Sequence, residues 1–123
     1  MRSLLVVGSI ALDSVRTPFG VASEVLGGSA AYCAIAASFF SEVHLVAAVG
    51  TDFPQRYLRL FTKRGVRTEG IQVKKGKTFR WKGHYEFDLN EAKTDATMLN
   101  VFGDFNPILP DSCAECPDVF LAN

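Results

Sequence analysis

The sequence predicts an α/β protein whose parallel sheet is joined by a separate antiparallel hairpin. Leu4 to Ile10 is a continuous apolar run with β-branched residues, the pattern of a strand covered on both faces. Gly27-Gly28 leads into a helix of small residues, and a second buried run, Val43 to Val49, follows it. Thr78 to Asp88 then alternates apolar and polar side chains, as an antiparallel strand wet on one side does.

Taken in order, Met1-Arg2-Ser3 places one basic residue before the first apolar run, as a secretory signal does. Asp13 and Arg16 follow without a cleavage site, so the run reads as a core strand. Thr17-Pro18-Phe19-Gly20 is a turn and Val21 to Leu26 a short strand. The helix from Ser29 to about Phe40 is alanine-rich and can lie close to a sheet. With Val43 to Val49 behind it, it makes a right-handed parallel crossover. Asp52 is placed to cap a helix beginning near Phe53-Pro54. Leu58, Leu60 and Phe61 form the apolar stripe of that helix, Arg56, Arg59, Lys63 and Arg64 face water, and Gly65 stops it. In the hairpin, Phe79, Trp81, Tyr85 and Phe87 share one face, with Asn90-Glu91 as the turn and Thr94 to Phe102 as the returning strand. Asn106 to Pro110 breaks the chain, Asp111 caps a short helix, and Asp118 to Asn123 reads as another buried strand. A buried strand at the terminus looks like a cut through a larger fold.

The 123 residues suit one domain or part of one. A net charge of zero argues against broad capture of nucleic acid or of an anionic membrane. The basic cluster Lys74, Lys75, Lys77, Arg80 and Lys82 reads as a solvated face, since acidic residues follow at once. No uninterrupted apolar segment has the length of a membrane span, so a soluble, cytoplasmic protein is expected. Cys113 and Cys116 have C-x-x-C spacing, but zinc needs two more ligands and His44 and His84 lie far off. They read as reduced thiols, Cys33 reads as a small core residue, and no metal site is expected.

The chemistry concentrates at Gly27-Gly28-Ser29. Two glycines let a ligand approach the backbone, and a helix opening beside them offers unpaired N–H groups and a partial positive charge. A glycine pair also serves as plain punctuation between strand and helix, and the residues alone leave both readings open. The aromatic face of the hairpin likewise covers the core, a ligand or another subunit. No G-x-G-x-x-G follows the first strand and no G-x-x-x-x-G-K-[ST] occurs.

Ser9-Ile10-Ala11-Leu12-Asp13, Gly27-Gly28-Ser29-Ala30-Ala31, Val49-Gly50-Thr51-Asp52 and Gly65-Val66-Arg67-Thr68-Glu69-Gly70-Ile71 together resemble the amino-terminal part of a ribokinase-like (PfkB-family) carbohydrate kinase. The resemblance implies a three-layer α/β/α sheet with a small β-sheet lid. Residues 1–123 would be one partial domain, and roughly 14–26 and 72–102 would form the lid. It implies an ATP-dependent transfer of the γ-phosphoryl group to a sugar hydroxyl, with ATP and Mg2+ used by the complete enzyme. A nucleoside kinase of the same family and a non-catalytic small-molecule binding domain are the alternatives. Asp13 matches a family aspartate that accepts hydrogen bonds from substrate hydroxyls, and Gly27 and Gly28 match a di-glycine that touches the sugar. Phe79 and Trp81 lie on the strand that reaches over the substrate, and Asn123 falls where the family places a polar contact. Ser29, Tyr32 and Ala11 depart from the ribokinase pattern of lysine, asparagine and asparagine. Ser29 and Tyr32 are kept as substrate-binding candidates, while ribose itself becomes a poor expectation. The catalytic base and the amide cradle of the family's Gly-Ala-Gly-Asp stretch do not occur in this sequence. They are expected beyond Asn123, so the chain alone is expected to be inactive. The partners implied are a sugar or nucleoside and a second copy meeting through the lid, with no nucleic acid and no membrane.

Overall fold

The computed structural model describes residues 2–123; Met1 lies outside the described residues. Its elements are β1 (Ser3–Val7), β2 (Ala11–Thr17), β3 (Gly20–Gly27), α1 (Ser29–Ala37), β4 (Glu42–Gly50), α2 (Gln55–Lys63), β5 (Arg67–Lys74), β6 (Arg80–His84), β7 (Lys93–Met98) and β8 (Asp118–Leu121). Two short 3-10 turns, Asn100–Asp104 and Asp111–Cys113, lie between β7 and β8.

The strands form two four-stranded sheets. The first is parallel, in the order β5-β4-β1-β8, with Val6 opposite Leu45 on one side and Phe120 on the other. Its inner strands β1 and β4 carry the apolar runs because both of their faces are covered. On one face Val6, Leu45, Ala47 and Val49 meet Ala30, Ala31 and Ala34 of α1 and Phe61 of α2. On the other, Leu5, Val7 and Val46 meet Cys113, with Phe105 and Cys116 beside it. The alanines explain how closely α1 lies on the sheet. Phe61 is fully buried, and its truncation to alanine would cost about 3–5 kcal/mol.

The second sheet has the order β3-β2-β6-β7. Strands β2 and β3 form one antiparallel hairpin and β6 and β7 another, and the two hairpins join through a parallel β2–β6 pair. The α/β class, the crossover from β1 to β4 and the turn after Thr17 agree with the sequence.

Other expectations are corrected. The strand expected over Leu4 to Ile10 ends at Val7, and Ala11–Thr17 form a strand of their own. Gln72 to Lys74, assigned by the sequence to the lid, belong to β5 of the parallel sheet. Helix α1 stops at Ala37, leaving Phe39 and Phe40 exposed, with Arg64 lying 3.8 Å over the Phe39 ring. Pro54, not Asp52, holds the N-cap position of α2, and Asp52 turns to Thr78 and Arg80 instead. Leu60 is 39% exposed because α2 turns Phe61, Leu58 and Tyr57 to the core. Strict alternation ends at a bulge near Gly83, and the hairpin turns at Phe87-Asp88 rather than Asn90-Glu91. Strand β7 ends at Met98, so Asn100 to Phe102 lie in a 3-10 turn. Among the described residues strand β8 is an exposed edge of the parallel sheet.

Candidate functional site

The carboxyl ends of β1 and β8 meet the start of α1 and the root of the second sheet, the region where open α/β folds take ligands. Asp13 stands there on β2. Its side chain leans over Gly27, where a Cβ would overlap the carboxylate at less than 3.0 Å. Only glycine leaves that space. Gly28 is fixed differently: its φ is +95°, and a Cβ would overlap the Ser9 carbonyl and stand 2.8 Å from the Ile10 Cα. The pair thus serves two purposes, room for a carboxylate and a tight bend against the β1–β2 link. Burial alone raises the Asp13 carboxyl above its ordinary range, with no hydrogen bond from the described residues to offset it. A half-buried carboxylate without a donor is a ready acceptor for ligand hydroxyls.

Beside it Ser9, Ser29 and Asn123 form a closed cluster. The Ser29 hydroxyl donates to Asn123 Oδ1 at 2.8 Å, the Ser9 N–H donates to the same oxygen at 2.9 Å, and Asn123 Nδ2 donates to Ser9 Oγ at 3.2 Å. Ser29 N–H donates to Ser9 Oγ and Ala30 N–H to the Ser9 carbonyl. Two N–H groups at the opening of α1, offered by the sequence to a ligand, are therefore taken by Ser9. Gly8 makes the cluster fit, since a Cβ there would stand 2.7 Å from Asn123 Oδ1. Ser9 stands in the Ser9-Ile10-Ala11-Leu12-Asp13 motif, and its hub position has no local sequence signal.

Trp81 sits opposite Asp13 in the β2–β6 register, as Val25 does across β3, so these side chains leave one face of the second sheet. The indole lies across Gly83, and its Nε1 donates to Thr94 Oγ1 at 3.1 Å. Phe79 is engaged elsewhere: its ring stacks on Phe102 at 5.5 Å, and Phe102 stacks on Phe105. Tyr32 is exposed and lines an apolar groove of about 390 Å³ with Leu26, Ile35 and Leu60, apart from the Ser9 cluster. Phe87 meets Phe19 edge-on at the far tip of the second sheet.

An ionic group missed by the sequence ties the two sheets together. Thr78 is fully buried; its N–H and hydroxyl both donate to Asp52 Oδ1, and its oxygen accepts the Gly50 N–H. Arg80 donates to Asp52 Oδ2 at 2.8 Å and through Nε and Nη2 to the two oxygens of Glu24. Arg80, expected on a solvated face, is thus a structural cation. The Arg80 hydrogen bonds hold the Glu24 carboxyl below its ordinary range. Burial pushes Asp52 up, but the Thr78 and Arg80 donors outweigh it and leave its carboxyl low. Glu24 adopts φ +52°, which no sequence pattern announced.

Cys113 is buried, its thiol raised chiefly by burial, and Cys33, Cys113 and Cys116 are all free. Among the described residues no three His, Cys, Asp or Glu side chains gather as a metal site, and no helix is long and apolar enough to cross a membrane.

No family model matches the chain. The cytidine kinase of Thermococcus kodakarensis is 33% identical over 89 residues, which are 72% of this chain and 32% of that protein. A ribokinase from Cryptococcus neoformans, solved with ADP, superposes with a TM-score of 0.80 at 21% identity over 98% of this chain and 42% of that one. The nucleoside kinase of Methanocaldococcus jannaschii, an archaeal member of the ribokinase family, gives 0.69 at 19% identity over 89% and 42%. The chain therefore spans about a third of the curated relative and less than half of these structures.

Proposed function

We propose that this chain, which has the ribokinase-like fold and carries part of that domain, is the acceptor-binding portion of an ATP-dependent kinase. The reaction is transfer of the γ-phosphoryl group to a sugar hydroxyl, and the sugar is presented as part of a nucleoside. The observation that carries the reading is Asp13: a half-buried carboxylate that receives no hydrogen bond from the described residues, held over Gly27 where the sheets meet. Acceptor hydroxyls supply the donors it lacks. Trp81 favours the nucleoside, because its indole is pinned by Thr94 on the face Asp13 leaves and offers a flat surface to a base. The 33% identity with a cytidine kinase supports the same acceptor class, and a free sugar is the second reading.

In this reading β2, β3, β6 and β7 are the lid, Asp13 orients the acceptor, and Gly27 and Gly28 bring the backbone to it. Ser29 and Asn123 shape the floor through their shared bonds with Ser9. The acceptor-side candidates Tyr32 and Phe79 reach a ligand only by leaving the groove and the Phe102 stack. Among the described residues no three His, Cys, Asp or Glu side chains gather to hold Mg2+. The sites for ATP and Mg2+ and the catalytic base belong to other residues of a complete enzyme. The tip bearing Phe19, Val21 and Phe87, all exposed, is where a second copy would meet the lid. The cytoplasm is the compartment this reading assigns.

The test is calorimetric titration of the chain with cytidine, inosine and D-ribose, repeated with Asp13→Asn. Nucleoside binding weakened roughly 10- to 150-fold by the substitution, the loss of about 1.5–3 kcal/mol expected for a charged hydrogen bond, supports the reading. Equal affinity of both proteins for every acceptor contradicts it.

A further inference from the structure

We infer that Arg80 is a positioning residue: shared between Asp52 and Glu24, its guanidinium fixes the second sheet against the parallel sheet and sets where Asp13 and Trp81 stand. The two sheets have no strand in common, and the links by which the chain passes between them include Gly28 and Gly76, both at positive φ. Such links do not set an angle by themselves. Leu12 of β2 and Leu26 of β3 pack into the core beside the parallel sheet, but apolar packing is not directional; Arg80 adds the directional contact through its fork. Nε and Nη2 hold Glu24 of β3, while Nη1 holds Asp52, just beyond β4, and the Thr78 carbonyl. Its side chain is only 16% exposed. The planar fork engages both carboxylates at once, which a lysine ammonium, a point charge, cannot reproduce.

The anchors are themselves held. Asp52 is bound by both donors of buried Thr78. Glu24 stays in its left-handed conformation with its N–H donating to Ser14 Oγ and its carbonyl accepting the Tyr57 hydroxyl of α2. The leverage is direct: Leu12 and Asp13 pair with Arg80 and Trp81, so a movement at Arg80 carries the Asp13–Trp81 face with it. The consequence for an acceptor rests on the function proposed above; the clamp itself does not.

Trp81 is the single tryptophan of the chain, so its fluorescence reads the clamp without any ligand. Wild type, Arg80→Lys, Arg80→Gln and Glu24→Gln are compared by acrylamide quenching, far-UV circular dichroism and amide exchange of β6. The expected result is a rise of about twofold in the quenching constant and faster β6 exchange in Arg80→Gln and Glu24→Gln, with unchanged secondary structure. Arg80→Lys is expected between them and wild type. If Arg80→Gln does not fold, Glu24→Gln, altered at an exposed carboxylate, decides. Wild-type quenching and exchange in the folded variants overturn the inference. So does a change seen only in step with loss of the dichroism signal, which would make Arg80 a stabilising residue and no more. Cytidine titration is the second arm: binding about fivefold weaker in Glu24→Gln is expected from a displaced site. Absence of cytidine, inosine and ribose binding to wild type counts against the proposed function alone, while the fluorescence still decides the clamp.

Discussion

Replacing Gly27 and Gly28 one at a time by alanine separates room for a ligand group from backbone integrity. At Gly27 the φ is not positive, and the atoms nearest the new methyl are those of the Asp13 carboxylate, the free end of a short side chain. The carboxylate must swing aside by about an ångström or more to restore ordinary contact. Gly→Ala at a compatible backbone contributes about 0.4–1 kcal/mol through the unfolded chain, which offsets part of that strain. Gly27→Ala should therefore melt close to wild type while losing acceptor affinity roughly 10- to 150-fold, the value of a charged hydrogen bond. At Gly28 the methyl meets backbone, the Ser9 carbonyl and the Ile10 Cα, and φ is +95°. Overpacking costs about 1–3 kcal/mol and a non-glycine residue in such a conformation about 1–3 more. Together these remove a large share of a total stability of about 5–15 kcal/mol. The assay is urea unfolding of both variants beside calorimetric titration with cytidine. A Gly27→Ala protein that binds as wild type, or a Gly28→Ala protein that unfolds at the wild-type urea midpoint, refutes the reasoning.

Thr78→Val keeps shape but strips Asp52 of a donor and leaves the Gly50 N–H without its acceptor; a loss of about 1–3 kcal/mol in urea unfolding is expected. Glu24 and Asp52 have lowered carboxyls, so their stabilisation is present above their ordinary values of 4.5 and 3.8 and fades as pH falls toward their folded values. Acid titration of Trp81 quenching should show the clamp releasing in that lower range, and Glu24→Gln should flatten the response. Asp13 has the opposite sign: its raised carboxyl costs stability once pH passes its folded value, so Asp13→Asn should unfold at higher urea than wild type at pH 7 and at nearly the same urea at pH 3. The purified chain, assayed with ATP and Mg2+ on cytidine, inosine and ribose, should show no turnover above background, because the proposed function assigns the groups that stabilise a transferring phosphoryl to other residues of a complete enzyme.

What could be read from the sequence followed burial symmetry. β1 and β4 are covered on both faces and announced themselves as apolar runs, and β6 showed by alternation until the bulge at Gly83. β5 lies at the sheet edge and carries Arg67, Thr68, Glu69 and Gln72, so no periodicity marked it. β8 is apolar and lies at the other edge of the sheet formed by the described residues. At the candidate site, Gly27 and Gly28 stand out because steric demands on glycine leave a trace in sequence, whereas Asp13 is singled out only through the family resemblance. The Arg80 group was not found, since Glu24, Asp52, Thr78 and Arg80 are distant in sequence and become neighbours only when the two sheets meet. Asp52 looked like a helix cap for the same reason: a local rule was available and the long-range partner was invisible.

The most direct measurement is the titration of the Asp13 carboxyl, followed by carbon-13 NMR with and without saturating cytidine. In the free chain the group should titrate above its ordinary value of 3.8, because burial acts on it and no donor among the described residues offsets it. Acceptor hydroxyls that donate to the carboxylate favour its charged form, so bound cytidine should bring the titration down. An Asp13 titration that starts in the ordinary range, or that does not move when cytidine is bound, would contradict the placement of the acceptor site.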